Sequence, residues 1–272
     1  MISSMKNLAC TVLADNQANA LFTAEHGLSL LLEYAGKRIL FDTGAGTALL
    51  KNAGLLNLNF AELDGVVLSH GHYDHTGGLP FLPPLTVWHT PDISEKRYSL
   101  HPGKQPKELT IPAAAAESLK RNKCKLIRDF TEILPGFYLT GAIPRFSGED
   151  CGGPFYFDRE GKSPDPINDE LALLLDNGTL IQGCCHAGII NTLEYCKERM
   201  PDIKIRNIIG GLHLLLASEE RLKQTADYLK NSQVENLYLL HCTGSQAIDF
   251  LKSHLEKGKI ILPETGKTFI CS

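Results

Sequence analysis

The sequence lacks a surplus of basic residues, a long hydrophobic run and any internal repeat. Its 27 Lys and Arg against 31 Asp and Glu give a net charge of −4, so composition offers no basic surface for nucleic acid or anionic lipid. The longest apolar runs, such as 28–32 and 212–217, are far shorter than the roughly 20 residues that cross a bilayer. We therefore expect neither a nucleic-acid-binding protein nor a membrane protein.

A disulfide framework and a secretory signal are also missing. The eight cysteines include no C-x-x-C pair and are few for a chain of this length, so we expect reduced thiols. Lys6 stands near the start, without a long apolar segment and cleavage site after it. These features predict a cytoplasmic protein. The adjacent Cys184 and Cys185 should point to opposite faces of a strand, which argues against both binding one ion.

Hydrophobic periodicity predicts a layered α/β fold. Short apolar or β-branched runs at 8–13, 29–34, 38–41 and 66–68 are typical of strands. The last third alternates similar runs with apolar residues at helical spacing, which indicates helices packed on a sheet. We predict a single domain over 1–272, with insertions or lids at about 80–168, where Pro and Gly are frequent.

The segment that follows the run at 66–68 carries the densest chemical signal. His70, His72, Asp74 and His75 place three imidazoles and a carboxylate within six residues. These groups are preferred ligands of zinc and similar divalent ions. His70 and His72 can bind one ion, and Asp74 and His75 a second. Asp74 is also the candidate to orient a metal-activated water or to accept its proton.

Three later histidines, His186, His213 and His241, each follow an apolar run that is predicted to be a strand. Side chains at strand ends can converge on one site, so these residues are candidates to complete the ligand set. The combined set exceeds the four positions of one tetrahedral site. We therefore expect two ions, most simply zinc, although manganese and iron also accept histidine and carboxylate ligands.

The H-x-H-x-D-H spacing resembles the signature of the metallo-β-lactamase superfamily. The segment F-D-T-G at 41–44 is similar to an earlier motif of that family, which implies that Asp42 supports the metal loop. The resemblance implies a four-layer αβ/βα sandwich with the metal site at the sheet edge. It also implies metal-assisted hydrolysis. The family's late bridging Asp has no counterpart before His241, and Cys184 and His213 are the candidates for its place.

Further segments are similar to the subgroup of archaeal dihydropterin ribofuranosylaminobenzene phosphate synthase and related bacterial metal-dependent hydrolases. They are E-H-G-L-S at 25–29, G-C-C-H-A-G-I at 183–189, I-G-G-L-H-L at 209–214 and H-C-T-G at 241–244. The first hypothesis is a hydrolase acting on an ester or phosphoester small-molecule substrate. The second is a transferase that condenses a dihydropterin pyrophosphate with an aminobenzene ribotide phosphate. The third is a non-catalytic metal- or ligand-binding protein.

Four residues are candidate contacts to a small-molecule substrate, which would be anionic if the basic residues bind it. His26 precedes a predicted strand, and Arg97, Lys104 and Arg145 lie in or beside the irregular middle of the chain. The competing interpretation of each is a solvated side chain.

The segment 147–168 is predicted to be a mobile cover over the metal edge. Its Gly and Pro residues should prevent regular structure, and Phe155 and Tyr156 should dock it on the site. The alternative is a surface excursion whose aromatic side chains pack permanently on the core.

Overall fold

A computed structural model describes residues 7–149 and 153–272. Its strands are β1 Leu8–Ala14, β2 Ser29–Tyr34, β3 Lys37–Phe41, β4 Gly65–Val67, β5 Thr86–His89, β6 Tyr98–Ser99, β7 Lys107–Glu108, β8 Lys123–Leu126, β9 Thr131–Leu134, β10 Phe137–Leu139, β11 Phe155–Tyr156, β12 Ala172–Leu175, β13 Thr179–Gln182, β14 Asn207–Gly210, β15 Asn236–Leu239, β16 Ile260–Ile261 and β17 Thr268–Cys271. The α-helices are α1 Thr47–Leu55, α2 Tyr73–Thr76, α3 Ala113–Arg121, α4 Ile189–Arg199, α5 Glu219–Asn231 and α6 Ser245–His254. Short 3₁₀ helices cover Phe60–Glu62, Leu79–Phe81 and His241–Thr243.

Most strands belong to two seven-stranded mixed sheets. The first has the order β17-β1-β2-β3-β4-β5-β8, and the second has the order β16-β15-β14-β13-β12-β10-β9. In the first sheet β3, β4, β5 and β8 run parallel. In the second sheet β13, β14, β15 and β16 run parallel. Parallel neighbours end at the same edge of a sheet, so each sheet gathers several strand ends where side chains can meet.

Burial on both faces explains why the strands are continuously apolar. Leu173 of β12 belongs to the core between the two sheets, whereas its neighbour Leu174 packs toward the outer helices. The same alternation places Leu32 of β2 inside and Leu31 outside. Successive strand residues point to opposite faces, so a sheet covered on both sides needs apolar residues at nearly every position.

Helices cover the outer face of each sheet and complete four layers. Buried residues of α1 and α3 pack on the first sheet, and those of α4, α5 and α6 pack on the second. Ser218 caps α5 by accepting a hydrogen bond from the Arg221 backbone N–H at 3.2 Å. The predicted layered α/β sandwich is confirmed. No α-helix in the described ranges is long and apolar enough to cross a bilayer.

The middle of the chain is more regular than its Pro and Gly content suggested. Strands β5 and β8 extend the first sheet and β9 and β10 extend the second, so much of 80–168 is part of the sandwich. The predicted cover is not free of regular structure either, because Phe155–Tyr156 pairs with β6 in a small sheet with β7. Backbone pairing across the chain outweighs the local preference there. Residues 150–152 lie outside the described ranges.

Candidate metal centre

The loop after β4 delivers four polar side chains into the interior. His70, His72, Asp74 and His75 are all at most 5% exposed. The Gly71 backbone N–H donates to Asp169 Oδ2 at 2.8 Å, which fixes the turn between the first two histidines. Because the chain then enters the short helix α2, Asp74 and His75 point in new directions. Four side chains from a six-residue segment thereby take part in several neighbouring clusters.

Asp42 holds this loop from the end of β3. Its Oδ1 accepts the Ser69 backbone N–H at 2.7 Å, and its Oδ2 accepts the Ser69 hydroxyl at 2.7 Å. The same Oδ2 lies 2.6 Å from His75 Nδ1. Burial alone lowers the pKa of His75, but the Asp42 charge and hydrogen bond outweigh it and raise that pKa to about 9. The contacts are those expected of a carboxylate supporting the loop.

The Ser69 hydroxyl links Asp42 to His70 and so fixes the orientation of the His70 ring. Since Ser69 Oγ donates to Asp42, it accepts from His70 Nδ1, which lies 2.9 Å away. The Nε2 lone pair of His70 is then directed into the interior. Burial and the neighbouring imidazoles lower the pKa of His70 well below its usual value. A neutral imidazole with a free lone pair is the form that binds metal ions.

His186 enters from the second sheet, just beyond β13. Its backbone N–H and that of Ala187 donate to the two carboxylate oxygens of Glu170, each at 2.6 Å. This grip holds the tight turn that carries His186. Burial lowers the pKa of His186, whereas burial raises the pKa of Glu170 to about 7.

His241 follows β15 and is positioned by the end of β1. The His241 backbone N–H donates to Asp15 Oδ1 at 2.7 Å, and its Nδ1 lies 2.9 Å from Asn16 Oδ1. Its Nε2 is 3.6 Å from Asp74 Oδ2. Burial lowers the pKa of His241 to about 4. The loop after β4 of the first sheet and the end of β15 in the second sheet therefore meet at Asp74 and His241.

His26 also reaches Asp74, with His26 Nε2 at 3.1 Å from Asp74 Oδ2. The His26 side chain is 55% exposed, while that of Asp74 is 7% exposed. Burial alone raises the pKa of Asp74, but the His26 hydrogen bond and the nearby imidazoles hold it well below its usual range. Asp74 is therefore an ionised acceptor between the interior and the solvent-facing His26.

The side chains form overlapping groups with the spacing of metal ligands. Potential ligand atoms lie within 4.8 Å of one another in the set His70, His72, His186 and in the set His70, His75, Cys184. The His70 and His72 Nε2 atoms and both His186 ring nitrogens have no hydrogen-bond partner among the described residues. Buried polar atoms are costly when unpartnered. The chemistry of this donor set fits a divalent metal ion.

Strained backbone is concentrated around these groups. Seven non-glycine residues in the described ranges have positive φ, and four of them are Asp42 (58°), Cys185 (64°), His213 (48°) and His241 (50°). This left-handed region disfavours side chains with Cβ, so surrounding contacts must enforce it. Strain of this kind is typical of functional sites.

A cavity of about 350 Å³ opens above the groups. Phe155 lies over it, with ring centroids 5.5 Å from His72, 5.2 Å from His186 and 5.6 Å from His213. Its wall combines residues from both sheets with polar residues of the middle segment. The lining residues include His26, His72, Asp74, His101, Lys104, Lys107, Leu109, Cys184, His186, His213, Leu215, Leu216, Arg221, His241 and Cys242.

Three predicted substrate contacts lie elsewhere. Arg97 is fully buried and paired with Asp165 and Asp169, so it stabilises the interior instead of facing a ligand. The Arg145 guanidinium donates to backbone oxygens that include His186 O at 3.3 Å, and it does not line the cavity. Tyr156 pairs with β6 and is also absent from the lining. Lys104, His26 and Phe155 do line the cavity.

Other polar residues at the site were missed by the sequence reasoning. Asp15 and Asn16 follow β1 directly, and a polar pair at a strand end was an available signal. Glu170 precedes β12 and Arg221 lies in the first turn of α5, where nothing in the local sequence distinguishes them. Cys242 lies in the H-C-T-G segment at 241–244, in which only His241 has the strand-end position expected of a ligand.

The chain belongs to the Metallo-beta-lactamase superfamily, because the sequence model of that family matches residues 22–161. The uncharacterized protein MJ0448 of Methanocaldococcus jannaschii is 34% identical over 92% of this chain and 98% of its own length. The 7,8-dihydropterin-6-methyl-4-(beta-D-ribofuranosyl)-aminobenzene-5'-phosphate synthase of the same organism is 30% identical over 96% of this chain and 98% of its own. The crystal structure of Tm1679, described as a metal-dependent hydrolase of the beta-lactamase superfamily, aligns with a TM-score of 0.84 and 31% identity, covering 96% and 98% of the two chains. The resemblance drawn from the sequence is confirmed.

Proposed function

We propose that the protein is a metal-dependent hydrolase that acts on a small anionic ester or phosphoester. The observation that carries this proposal is the convergence of unpartnered, buried imidazole nitrogens of His70, His72 and His186 beneath an open cavity. Purely structural histidines pair their ring nitrogens when buried. Such a floor under a cavity is suited to binding a metal ion next to a substrate.

Six residues would hold two ions of the kind the superfamily usually binds, with zinc as the first choice. His70, His72 and His186 would hold one, and Asp74, His75 and His241 the other. Such an ion would lower the pKa of a bound water molecule and would stabilise the negative charge that develops on the substrate. Asp42 fixes His75 and, through Ser69, His70. Asn16 fixes His241.

Asp74 is the group we assign to orient the attacking water. Because its pKa is held well below the usual range, the Asp74 carboxylate is ionised and can accept a hydrogen bond from that water. His26 holds Asp74 Oδ2 at 3.1 Å and extends toward solvent, which makes it a positioning residue for that carboxylate. Phe155 would exclude water from the reacting edge and contact an apolar part of the substrate.

The charge of the cavity wall favours an anionic substrate. Asp74 is the only carboxylate among the described lining residues, whereas Lys104, Lys107 and Arg221 supply positive charge. Arg221 is 4% exposed; its Nε lies 4.0 Å from Glu149 Oε1, whereas its Nη2 has no hydrogen-bond partner in the described parts of the chain. A buried guanidinium with unused donors recognises carboxylate or phosphate oxygens.

The test is a panel of phosphomonoesters, phosphodiesters, lactones and thioesters, assayed with protein of measured metal content. Hydrolysis that disappears on chelation and returns with added metal supports the proposal. A protein that binds metal but turns over no member of the panel would point to a binding role and end the hydrolase proposal.

A transferase is the second candidate, because a relative that aligns over 96% of this chain is named as a synthase. A metal ion held by the same imidazoles would then stabilise the pyrophosphate leaving group of a pterin substrate. Incubation with a dihydropterin pyrophosphate and an aminobenzene ribotide phosphate separates the two candidates. A condensed product favours the transferase, and simple hydrolysis of the pyrophosphate favours the hydrolase.

A further inference from the structure

A second set of ligand-type side chains stands beside the imidazole floor. The Sγ atoms of Cys184 and Cys242 and a ring nitrogen of His213 all lie within 4.8 Å of one another. Both cysteines are buried, at 4% and 7% exposure. The buried His213 Nδ1 has no hydrogen-bond partner among the described residues. None of the three belongs to the H-x-H-x-D-H segment.

The three parallel strands of the second sheet bring these residues together. Cys184 follows β13, His213 follows β14 and Cys242 follows β15, and these strands are adjacent. Hydrogen bonds continue the register past the strand ends, from the Gly211 N–H to Gly183 O at 2.9 Å and from the Leu212 N–H to Thr243 Oγ1 at 3.1 Å.

Gly211 leaves the room that the Cys242 sulfur needs. A Cβ at position 211 would collide with Cys242 Sγ, so a larger residue there would push the thiol away from Cys184. His213 is held with φ of 48°, a conformation that costs free energy for a residue with Cβ. The backbone is thus arranged so that two sulfurs and one imidazole face the same space.

We propose that Cys184, His213 and Cys242 form a further site for a thiophilic divalent ion, which adjoins the sites of the H-x-H-x-D-H segment and shares Cys184 with the His70 and His75 set. Two thiolates and an imidazole suit zinc and cobalt, and three protein ligands leave one tetrahedral position open. All three residues line the cavity. Cys184 also lies 3.3 Å from His75 Nε2, whereas Cys242 belongs only to the new set. Cys242 is therefore the residue that distinguishes this site from its neighbours.

The experiment loads the full-length chain with Co²⁺ under reducing conditions and measures two quantities. Elemental analysis gives ions per chain, and near-ultraviolet absorption reports thiolate-to-cobalt charge transfer. The variants are Cys242→Ser, His213→Ala and Cys184→Ser. Cys196→Ser is the control, because Cys196 is also buried but lies in α4, where it packs in the core of the second sheet. We expect each test variant to lose about one ion per chain, since removing one of three ligands empties a tetrahedral site. Charge-transfer absorption should fall with the ion in Cys242→Ser, and Cys196→Ser should match the parent.

Retention of both the ion count and the absorption by Cys242→Ser would overturn the proposal. The proposal would also be overturned if Cys184→Ser lost the charge-transfer absorption while Cys242→Ser kept it, because Cys184 would then act only with His75. Circular dichroism checks the fold, and His213→Ala decides the matter if Cys242→Ser does not fold. The site is independent of the proposed reaction: His72→Ala should leave its charge-transfer absorption in place.

Discussion

The first sheet supplies the centre from one loop, in which His70, His72, Asp74 and His75 follow a single strand. The second sheet supplies it from three separate strand ends, beyond β13, β14 and β15. In the loop, relative positions are set by a few backbone dihedrals and the Asp42 network. In the second sheet they depend on the register of parallel strands that are distant in sequence. The comparison shows a local and a non-local way of placing the proposed ligands around the same cavity.

The two constructions should fail differently. A defect in the loop reaches several ligands at once, because Asp42 supports both Ser69 and His75. A defect at one strand end should stay with the residue beyond it, because each end has its own supports. Glu170 holds the turn at His186, and Asp15 and Asn16 hold His241.

The largest effect is expected from His72→Ala, which removes a proposed ligand from the loop. Activity should fall by about 100-fold or more, since loss of a ligand exceeds the roughly 10–100-fold effect of losing a supporting partner. One ion should be lost while the fold is retained. His89→Ala is the matched control, because His89 is buried at 5% exposure but bonds Thr90 O outside the clusters. Normal turnover and normal metal content in His72→Ala would contradict the assignment.

Asp42→Asn tests the support shared within the loop. We expect a loss of about 10–100-fold in metal affinity or activity, because an uncharged amide cannot accept all the present hydrogen bonds with equal strength. Both His70 and His75 should be affected. Titration with a chelator measures the affinity, and Asp64→Asn is the control because Asp64 pairs with Lys37 away from the centre. Equal affinities in the two variants would refute the shared-support argument.

Asn16→Ala tests the second construction, in which one support serves one ligand. We expect weakening near the lower end of the 10–100-fold range, about tenfold, and confined to the ion beside His241. Metal titration should show one affected and one unaffected ion, with Asn231→Ala, a surface substitution, as the control. If Asn16→Ala weakened both ions as strongly as Asp42→Asn, the distinction between the two constructions would be lost.

Arg221→Met tests whether the residues on the side of the second sheet also select the charge of the substrate. A hydrogen bond to a charged group contributes about 1.5–3 kcal/mol, so KM for an anionic substrate should rise by roughly tenfold or more with kcat little changed. Lys104→Met, at an exposed position on the other wall, should have a smaller effect. Steady-state kinetics on a neutral and an anionic substrate make the comparison. An equal change for both substrates would argue against charge recognition.

Phe155→Ala should give the smallest effect, because Phe155 contacts imidazoles from both halves without ligating anything. We expect a few-fold rise in KM from the lost apolar contact, on the order of 1 kcal/mol, with metal content unchanged. Tyr156→Ala is the natural comparison, since Tyr156 pairs with β6 and does not line the cavity. Identical kinetics for Phe155→Ala and the parent protein would remove the proposed role of this segment.

The contrast between the two halves also decides what the sequence could reveal. The loop holds its four proposed ligands within six residues, so their spacing alone was enough to single out His70, His72, Asp74 and His75. Short apolar runs that alternate with apolar residues at helical spacing likewise indicated a layered α/β fold. Local pattern is enough where neighbours in sequence are neighbours in space.

Partners from distant strands could not be read in this way. That Asn16 bonds His241, or that Cys242 lies beside Cys184, follows from which strands are adjacent, and no local pattern encodes that adjacency. The pairing of Arg97 with Asp165 and Asp169 reversed the expectation of a surface charge for the same reason. Regular structure at 86–89 and 155–156 depends on long-range pairing as well.

The edge of the first sheet carries a consequence for the newly made chain. Strand β17, near residue 270, pairs with β1, near residue 10, so the two strands are separated by almost the whole length of the described sequence. Until residues 268–271 have left the ribosome, β1 has an open edge rich in apolar side chains, and such edges recruit other strands. A nascent chain that stalls before this point would be prone to aggregate, and its need for chaperones should fall once β17 has emerged and paired with β1.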